Sequence, residues 1–247
     1  MKAPLEGRVV LVTGASRGIG AVTARTLHGQ GAAVVIHYGS KAAPAHALAA
    51  ELGDRATVVG GDLADPAQLR SIWAEALGWQ GRIDTLVNNA GAWIASPIED
   101  KEAWDAGWAS NLALNLAAPA ELCRLAIEHF RERGGGIIVN VTSRSAHRGD
   151  DVEHLAYGAA KGGLLALTKG IARGCGKDGV LAYAVAPGWV ATDLADGQVA
   201  GDMVAHLPLG EVTPPEDVAE LIAFLAGGKC RHATGSTIDV TGADYVR

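Results

Sequence analysis

Tyr157 and Lys161 stand four positions apart in Ala156-Tyr157-Gly158-Ala159-Ala160-Lys161. On a helix this spacing puts both side chains on one face, about one turn from each other. A phenol with an ordinary pKa of about 10 is a weak base at neutral pH. A cation held beside it favours the phenolate and brings it toward the range in which it exchanges a proton. The pair alone is a weak signal, because a Tyr and a Lys at this spacing are usually surface neighbours. What precedes it in the chain gives it meaning.

The chemistry-bearing segments upstream and downstream all follow apolar runs that read as strands. Val9 to Val12 leads into Thr13-Gly14-Ala15-Ser16-Arg17-Gly18-Ile19-Gly20, and a helical Ala/Leu pattern runs from Ile19 to Gly29. Strand, glycine-rich turn and helix N-terminus together make a cradle for a pyrophosphate, since glycine allows close backbone approach and the helix end faces the anion. Ile83 to Asn88 ends in Asn88-Asn89-Ala90-Gly91, Gly136 onward ends at Ser143, and Val180 to Ala186 runs into Pro187-Gly188. Two more runs, Ala33 to Ile36 and Ala56 to Val59, and a last one at Thr237 to Val240, complete about seven strands. Helices are expected at Pro44 to Leu52, Pro66 to Leu77, Glu102 to Arg133 and Leu155 to Arg173, and from a Thr213-Pro214-Pro215 cap to Leu225. Ligands of open α/β sheets bind at the carboxyl edge of the strands, which is where these segments fall.

In this order and at these separations the segments resemble the short-chain dehydrogenase/reductase family, and the resemblance runs from Gly7 to Gly242. It implies one doubly wound Rossmann-type α/β domain over 1–247, with a mostly parallel seven-stranded sheet in the order 3-2-1-4-5-6-7. The dinucleotide-binding half would cover about 1–140 and the catalytic and substrate half about 141–247. It implies interconversion of a carbonyl and a secondary alcohol by hydride transfer, with Tyr157 as general acid/base. Lys161 would lower the phenol's pKa and hold the nicotinamide ribose, Ser143 would bind the substrate oxygen, and Asn115 would anchor a water linking Lys161 to solvent.

Asn115 is chosen over Asn111 because Trp108 and Pro119 fall at the family's distances from it; Ser143 is chosen over Ser145 for the apolar-strand-then-serine register. The cofactor set implied by the resemblance is Gly14, Ser16, Arg17, Gly18, Ile19 and Gly20 at the turn, with Asp62 and Leu63 at the adenine. Asn89, Ala90 and Gly91 approach the ribose with Tyr157 and Lys161. Pro187, Gly188, Val190 and Thr192 close over the nicotinamide. The tip of the second strand reads His37-Tyr38-Gly39-Ser40-Lys41, without the acid that accepts from a ribose 2′-hydroxyl. Arg17 with Tyr38, Ser40 and Lys41 suits a 2′-phosphate, so NADP(H) is favoured over NAD(H).

Length, a hydrophobic fraction of 49% and charged residues at 19% fit one well-cored domain. A net charge of −6 gives no pull toward nucleic acid or anionic membrane, and neither a leader nor a membrane-spanning run stands out. Cys123, Cys175 and Cys230 are odd in number and unspaced for metal or disulfide, in keeping with reduced packing residues, a cytoplasmic setting and no metal site. Trp93 and Trp189 follow strand tips and are assigned to a substrate pocket, the other four tryptophans to packing. A Ser143/His147/Asp150 or Asp151 hydrolase lacks its nucleophile elbow. The rival readings are an NAD-dependent alcohol, sugar or polyol dehydrogenase and a non-enzymatic dinucleotide sensor or scaffold. The substrate class stays open, 3-oxoacyl thioesters among the possibilities. Apolar helix faces at 102–133 and 155–173 imply a homotetramer or homodimer, and 193–209 a substrate lid.

Overall fold

Seven short runs rich in Val, Ile, Leu and Ala become strands: β1 Val9–Val12, β2 Ala33–Tyr38, β3 Ala56–Gly60, β4 Thr85–Asn88, β5 Gly136–Val141, β6 Val180–Pro187 and β7 Thr237–Val240. The computed structural model describes residues 3–192 and 204–247, so residues 193–203 of the expected lid lie outside the described residues. The strands form one sheet in the order β3-β2-β1-β4-β5-β6-β7. Every pairing is parallel, including the last, where Ala184 to Pro187 of β6 match Thr237 to Val240 of β7. The expected "mostly parallel" sheet is therefore wholly parallel.

Both faces are covered, which is why the strands read as unbroken apolar runs rather than alternating ones. Side chains at alternate positions go to opposite faces. Val10 and Val12 of β1 enter one core with Leu27 of α1 (Gly18–Gly29), Leu48 of α2 (Ala42–Leu52) and Ile222 of the last described helix, Pro215–Ala226. Val9 and Leu11 enter the other core with Ile72 of α3 (Pro66–Gln80), Phe130 of α5 (Ala118–Glu132) and Ile171 of the helix Leu155–Cys175. Two further helices among the described residues are α4 (Lys101–Leu112) and the short α6 (Ser145–Arg148); Leu155–Cys175 is α7 and Pro215–Ala226 is α8.

Three local expectations change. The single helical stretch over 102–133 is broken by a π turn at Ala113–Ala117, just before Pro119, which has no amide to give to a regular ladder. Ser143 lies two residues beyond the end of β5 rather than within it. Thr213 does not cap α8, whose N-cap is Pro214 with no side-chain hydrogen bond. Its amide donates to the Trp189 carbonyl at 2.9 Å and its carbonyl accepts from Ala191 at 3.0 Å, so it ties down the segment after β6.

A buried polar lattice fixes β4, β5 and α7 under the site. Asn140 is fully buried. Its Oδ1 accepts from Asn88 Nδ2 at 2.8 Å and its Nδ2 donates to Thr168 Oγ1 at 2.8 Å. Truncation of Asn140 would leave the Asn88 amide short of its acceptor in a place water does not reach. Asn140→Ala is expected to cost about 2–4 kcal/mol of stability in urea unfolding; a loss below about 0.5 kcal/mol would show that the lattice does not hold these elements together.

Candidate active site

The order of the sheet reverses between β1 and β4, which opens a crevice at the strands' carboxyl ends. The glycine turn and the loop after β4 meet there. Thr13 Oγ1 accepts from the amides of both Asn89 and Ala90 at 3.0 Å, and Asn89 Nδ2 donates to the Thr13 carbonyl at 2.9 Å. Gly14 has φ +63°, and a Cβ there would lie 2.8 Å from the Ala90 Cα. At Gly20 a Cβ would come within 2.4 Å of the Gly14 carbonyl oxygen. Both positions thus require glycine, one for conformation and contact, the other for contact alone.

The N-terminus of α1 carries no side-chain cap and no acid in its first turn. Its amides remain suited to an anion, so the cradle fits a dinucleotide pyrophosphate. Gly14, Ser16, Arg17, Gly18, Ile19 and Gly20 line the cleft there; Ser40, Lys41, Asp62 and Leu63 line its outer part, with Asn89, Ala90, Gly91 and Thr192 inward. Tyr38 does not line it. Its ring lies against Gly60, where a Cβ would sit 2.4 Å from the phenol.

His37 lines the cleft instead, a residue the sequence reading passed over. Its Nδ1 accepts from the Gly14 amide at 3.1 Å, which leaves Nε2–H to donate to the Gly61 carbonyl at 3.0 Å. Burial lowers its pKa and keeps it neutral, as that tautomer needs. An aromatic residue with a polar edge at a strand tip is too common a feature for sequence alone to assign.

An inner cavity of about 140 Å³ adjoins the cleft and brings Ser143, Tyr157 and Lys161 together with Gly91, Pro187 and Gly188. Ser143 lies beside Tyr157 there and favours its phenolate. Ser145, the rival serine, uses its amide to donate to Ser143 Oγ at 3.1 Å, so it helps orient Ser143. Lys161 is 4% exposed and donates from Nζ to the Val141 carbonyl at 2.9 Å; Nζ lies 5.8 Å from the Tyr157 ring centroid. Burial lowers the Lys161 pKa to about 8. Burial also dominates at Tyr157 and pushes the phenol up to about 12, against the pull of Ser143, with Asp150 adding to the rise.

Asn111 and Asn115 are both fully buried but differ in role. Asn115, in the π turn, accepts from the Ala92 amide at 3.2 Å and donates to the Ala92 carbonyl at 2.9 Å. A Cβ on Gly91 would lie 2.7 Å from Asn115 Oδ1 and 3.3 Å from Lys161 Nζ, so these two side chains converge on Gly91. Asn111 instead donates to the Ile94 and Gly107 carbonyls at 2.9 Å, and accepts from Asn115 at 3.1 Å.

The outer wall carries Trp93 and Trp189, edge to face at 5.9 Å, with His154 stacked on Trp93 at 3.6 Å. Arg144 and Arg148 line the same wall; the sequence places the polar loop Arg144 to His154 at the pocket mouth, without a separate role for either arginine. No hydrolytic triad forms: His147 faces Asp239 at 3.7 Å and stacks on Tyr245, while Asp151 binds His154 at 2.7 Å.

The family model described as enoyl-(acyl carrier protein) reductase matches residues 14–242. An L-rhamnose 1-dehydrogenase (NAD(P)(+)) from a Sphingomonas strain is 36% identical, over 98% of both chains. Among solved structures, a 3-ketoacyl-(acyl-carrier-protein) reductase from Brucella melitensis complexed with NADH is 31% identical at a TM-score of 0.87, covering 98% of this chain and 100% of its own. A blue fluorescent protein from a metagenomic library, in complex with NADPH, is 37% identical at a TM-score of 0.89 with the same coverage. A matching crevice, sheet order and cavity, with relatives of this identity along nearly the whole length, place the chain in the short-chain dehydrogenase/reductase family as an oxidoreductase.

Proposed function

We propose that this oxidoreductase interconverts a carbonyl and a secondary alcohol with NADP(H), using Tyr157 as general acid/base. The observation that carries the reading is that Ser143, Tyr157 and the buried Lys161 ammonium line one cavity. The nicotinamide supplies or accepts the hydride when bound. On the protein's side, Ser143 donates to the substrate oxygen where negative charge develops. Tyr157 gives its proton to that oxygen in reduction and takes it back in oxidation. A phenol that burial holds protonated is well suited to the acid role. Lys161 stabilises the phenolate left behind and holds the ribose hydroxyls. Asn115 Oδ1 keeps acceptor capacity beyond its bond from Ala92, so it can anchor a water that resupplies the proton.

NADP(H) is favoured by the absence of a carboxylate at the tip of β2 and by Arg17, Ser40 and Lys41 along one rim of the cleft. Use of NAD(H) by an alcohol or sugar dehydrogenase is the competing reading; among the similar proteins one name gives NAD(P)(+) and one structure holds NADH. Reduction of 3-oxoacyl thioesters also belongs to the proposal, through the ketoacyl reductase likeness. Exposed Phe224 on α8 and Leu112 on α4 favour self-association into a dimer or tetramer.

Tyr157→Phe keeps the ring and removes the proton, so turnover of an activated ketone is expected to fall about 10²–10⁴-fold with little change in cofactor affinity. Near-normal turnover would reduce Tyr157 to a packed ring and sink the mechanism. Arg17→Ala is expected to weaken NADPH by about 1.5–3 kcal/mol in fluorescence titration while NADH barely changes; equal losses would mean that Arg17 only shapes the turn.

Lys161 also sets a cost in stability. Its folded pKa of about 8 lies below the ordinary value of 10.5, so between those pH values the unfolded chain binds more protons and stability rises with pH. Below about pH 8 the penalty is full, about 3 kcal/mol, from which the lost bond to Val141 subtracts about 1 on removal of the amine. Lys161→Met should therefore raise the melting temperature at pH 7 by roughly 4–8 °C while abolishing turnover. That gain should shrink from pH 8 toward pH 10. A lower melting temperature at pH 7 would mean that the ammonium is compensated in place.

A further inference from the structure

The residue after Ser143 puts a second ionic group into the substrate cavity. Arg144 is only 7% exposed, yet its side chain lines the cavity that holds Ser143 and Tyr157. It is held on three sides. Its amide donates to the Pro187 carbonyl at 3.0 Å, its guanidinium lies 5.1 Å from the centroid of the Trp189 ring, and Asp244, after β7, forms an ion pair with Nη1. Burial and the neighbouring Arg148 lower its pKa to about 10, which still leaves it charged at neutral pH.

A buried guanidinium is costly, and an apolar side chain would serve better if the wall only needed filling. Among the described residues, the charges that line the cavity are Arg144, Arg148 and Lys161 against Asp150, with Asp244 paired to Arg144. The chain as a whole carries −6, so this wall runs against its overall balance. A neutral polyol calls for paired donors and acceptors, and an acyl chain for an apolar channel. A rigid guanidinium over an aromatic ring, in the cavity that holds Ser143 and Tyr157, matches instead a molecule that carries a carboxylate.

We propose that Arg144 binds a carboxylate of the substrate, so that the enzyme interconverts an oxo acid and the matching hydroxy acid. Asp244 holds the guanidinium in position and competes with that carboxylate, and Arg148, exposed at the mouth, adds to the attractive field. This rests on the carbonyl/alcohol oxidoreductase reading given above.

The test is calorimetric binding to the enzyme loaded with the oxidised cofactor NADP+, which has no hydride to give an oxo acid, so binding is read without turnover. The probes are linear and cyclic oxo acids with roughly two to five carbons between carbonyl and carboxylate, each beside its methyl ester. At least one acid is expected to bind 10-fold or more tighter than its ester. Arg144→Gln should weaken that acid about 10- to 150-fold and the ester less than about threefold, as for loss of a charge-assisted pair. Asp244→Asn, a milder change, should tighten the acid and leave the ester unchanged. The proposal is overturned if acid and ester bind alike to the wild type, if no acid binds at millimolar concentration, or if either variant shifts both probes equally. Failure of the underlying reading appears separately, as an acid that binds but consumes no NADPH.

Discussion

A lysine ammonium buried at the carboxyl end of β5 is the constraint around which this site is arranged. Lys161 has the Val141 carbonyl as its hydrogen-bond acceptor among the described residues, and burial alone accounts for its lowered pKa. A carboxylate in its place of contact would neutralise it and end its usefulness to a phenolate or a ribose. The surroundings therefore offer dipoles rather than charges. Gly91 must lack a side chain because a Cβ would crowd Nζ and the Asn115 amide together. Asn115 reaches that point because the π turn at Ala113–Ala117 shifts its register inward from the regular helix.

The same constraint explains the polar lattice below. A buried charge tolerates little motion, and Asn88, Asn140 and Thr168 lock the two central strands to the helix that carries Tyr157 and Lys161. Each side chain of that lattice sits where an apolar residue would pack as well. Their polarity fixes register between β4, β5 and α7, and register decides whether Ser143 meets the phenol.

Much of this was legible in the sequence. The strand runs ended within two residues of their observed limits at β1, β2, β3 and β7, because strands buried on both faces leave unbroken apolar signatures. The glycine turn was legible because Gly14 and Gly20 answer to backbone contacts that only glycine permits. Other features were hidden for identifiable reasons. The π turn leaves no periodicity break over five residues, so 102–133 read as one helix. Tyr38 and His37 alternate across β2, and a strand tip gives no hint of which one faces the cleft. The polar loop from Arg144 to His154 was legible as a pocket mouth, but the burial of Arg144 was not, because it depends on the fold after β6 laying Trp189 beside it.

Placement of Arg144 directly after Ser143 has a consequence for selectivity. Both residues leave the end of β5, with Thr142 and Arg144 bonded through their amides to the carbonyls of Val185 and Pro187 on β6. The hydroxyl and the guanidinium therefore move as one body with the central sheet. Loops and lids can adjust around a substrate, but the separation of these two groups cannot follow. A molecule held by both must present its reacting oxygen and its anionic group at one fixed spacing, so the rigid sheet rather than a mobile wall would select the chain length of the acid.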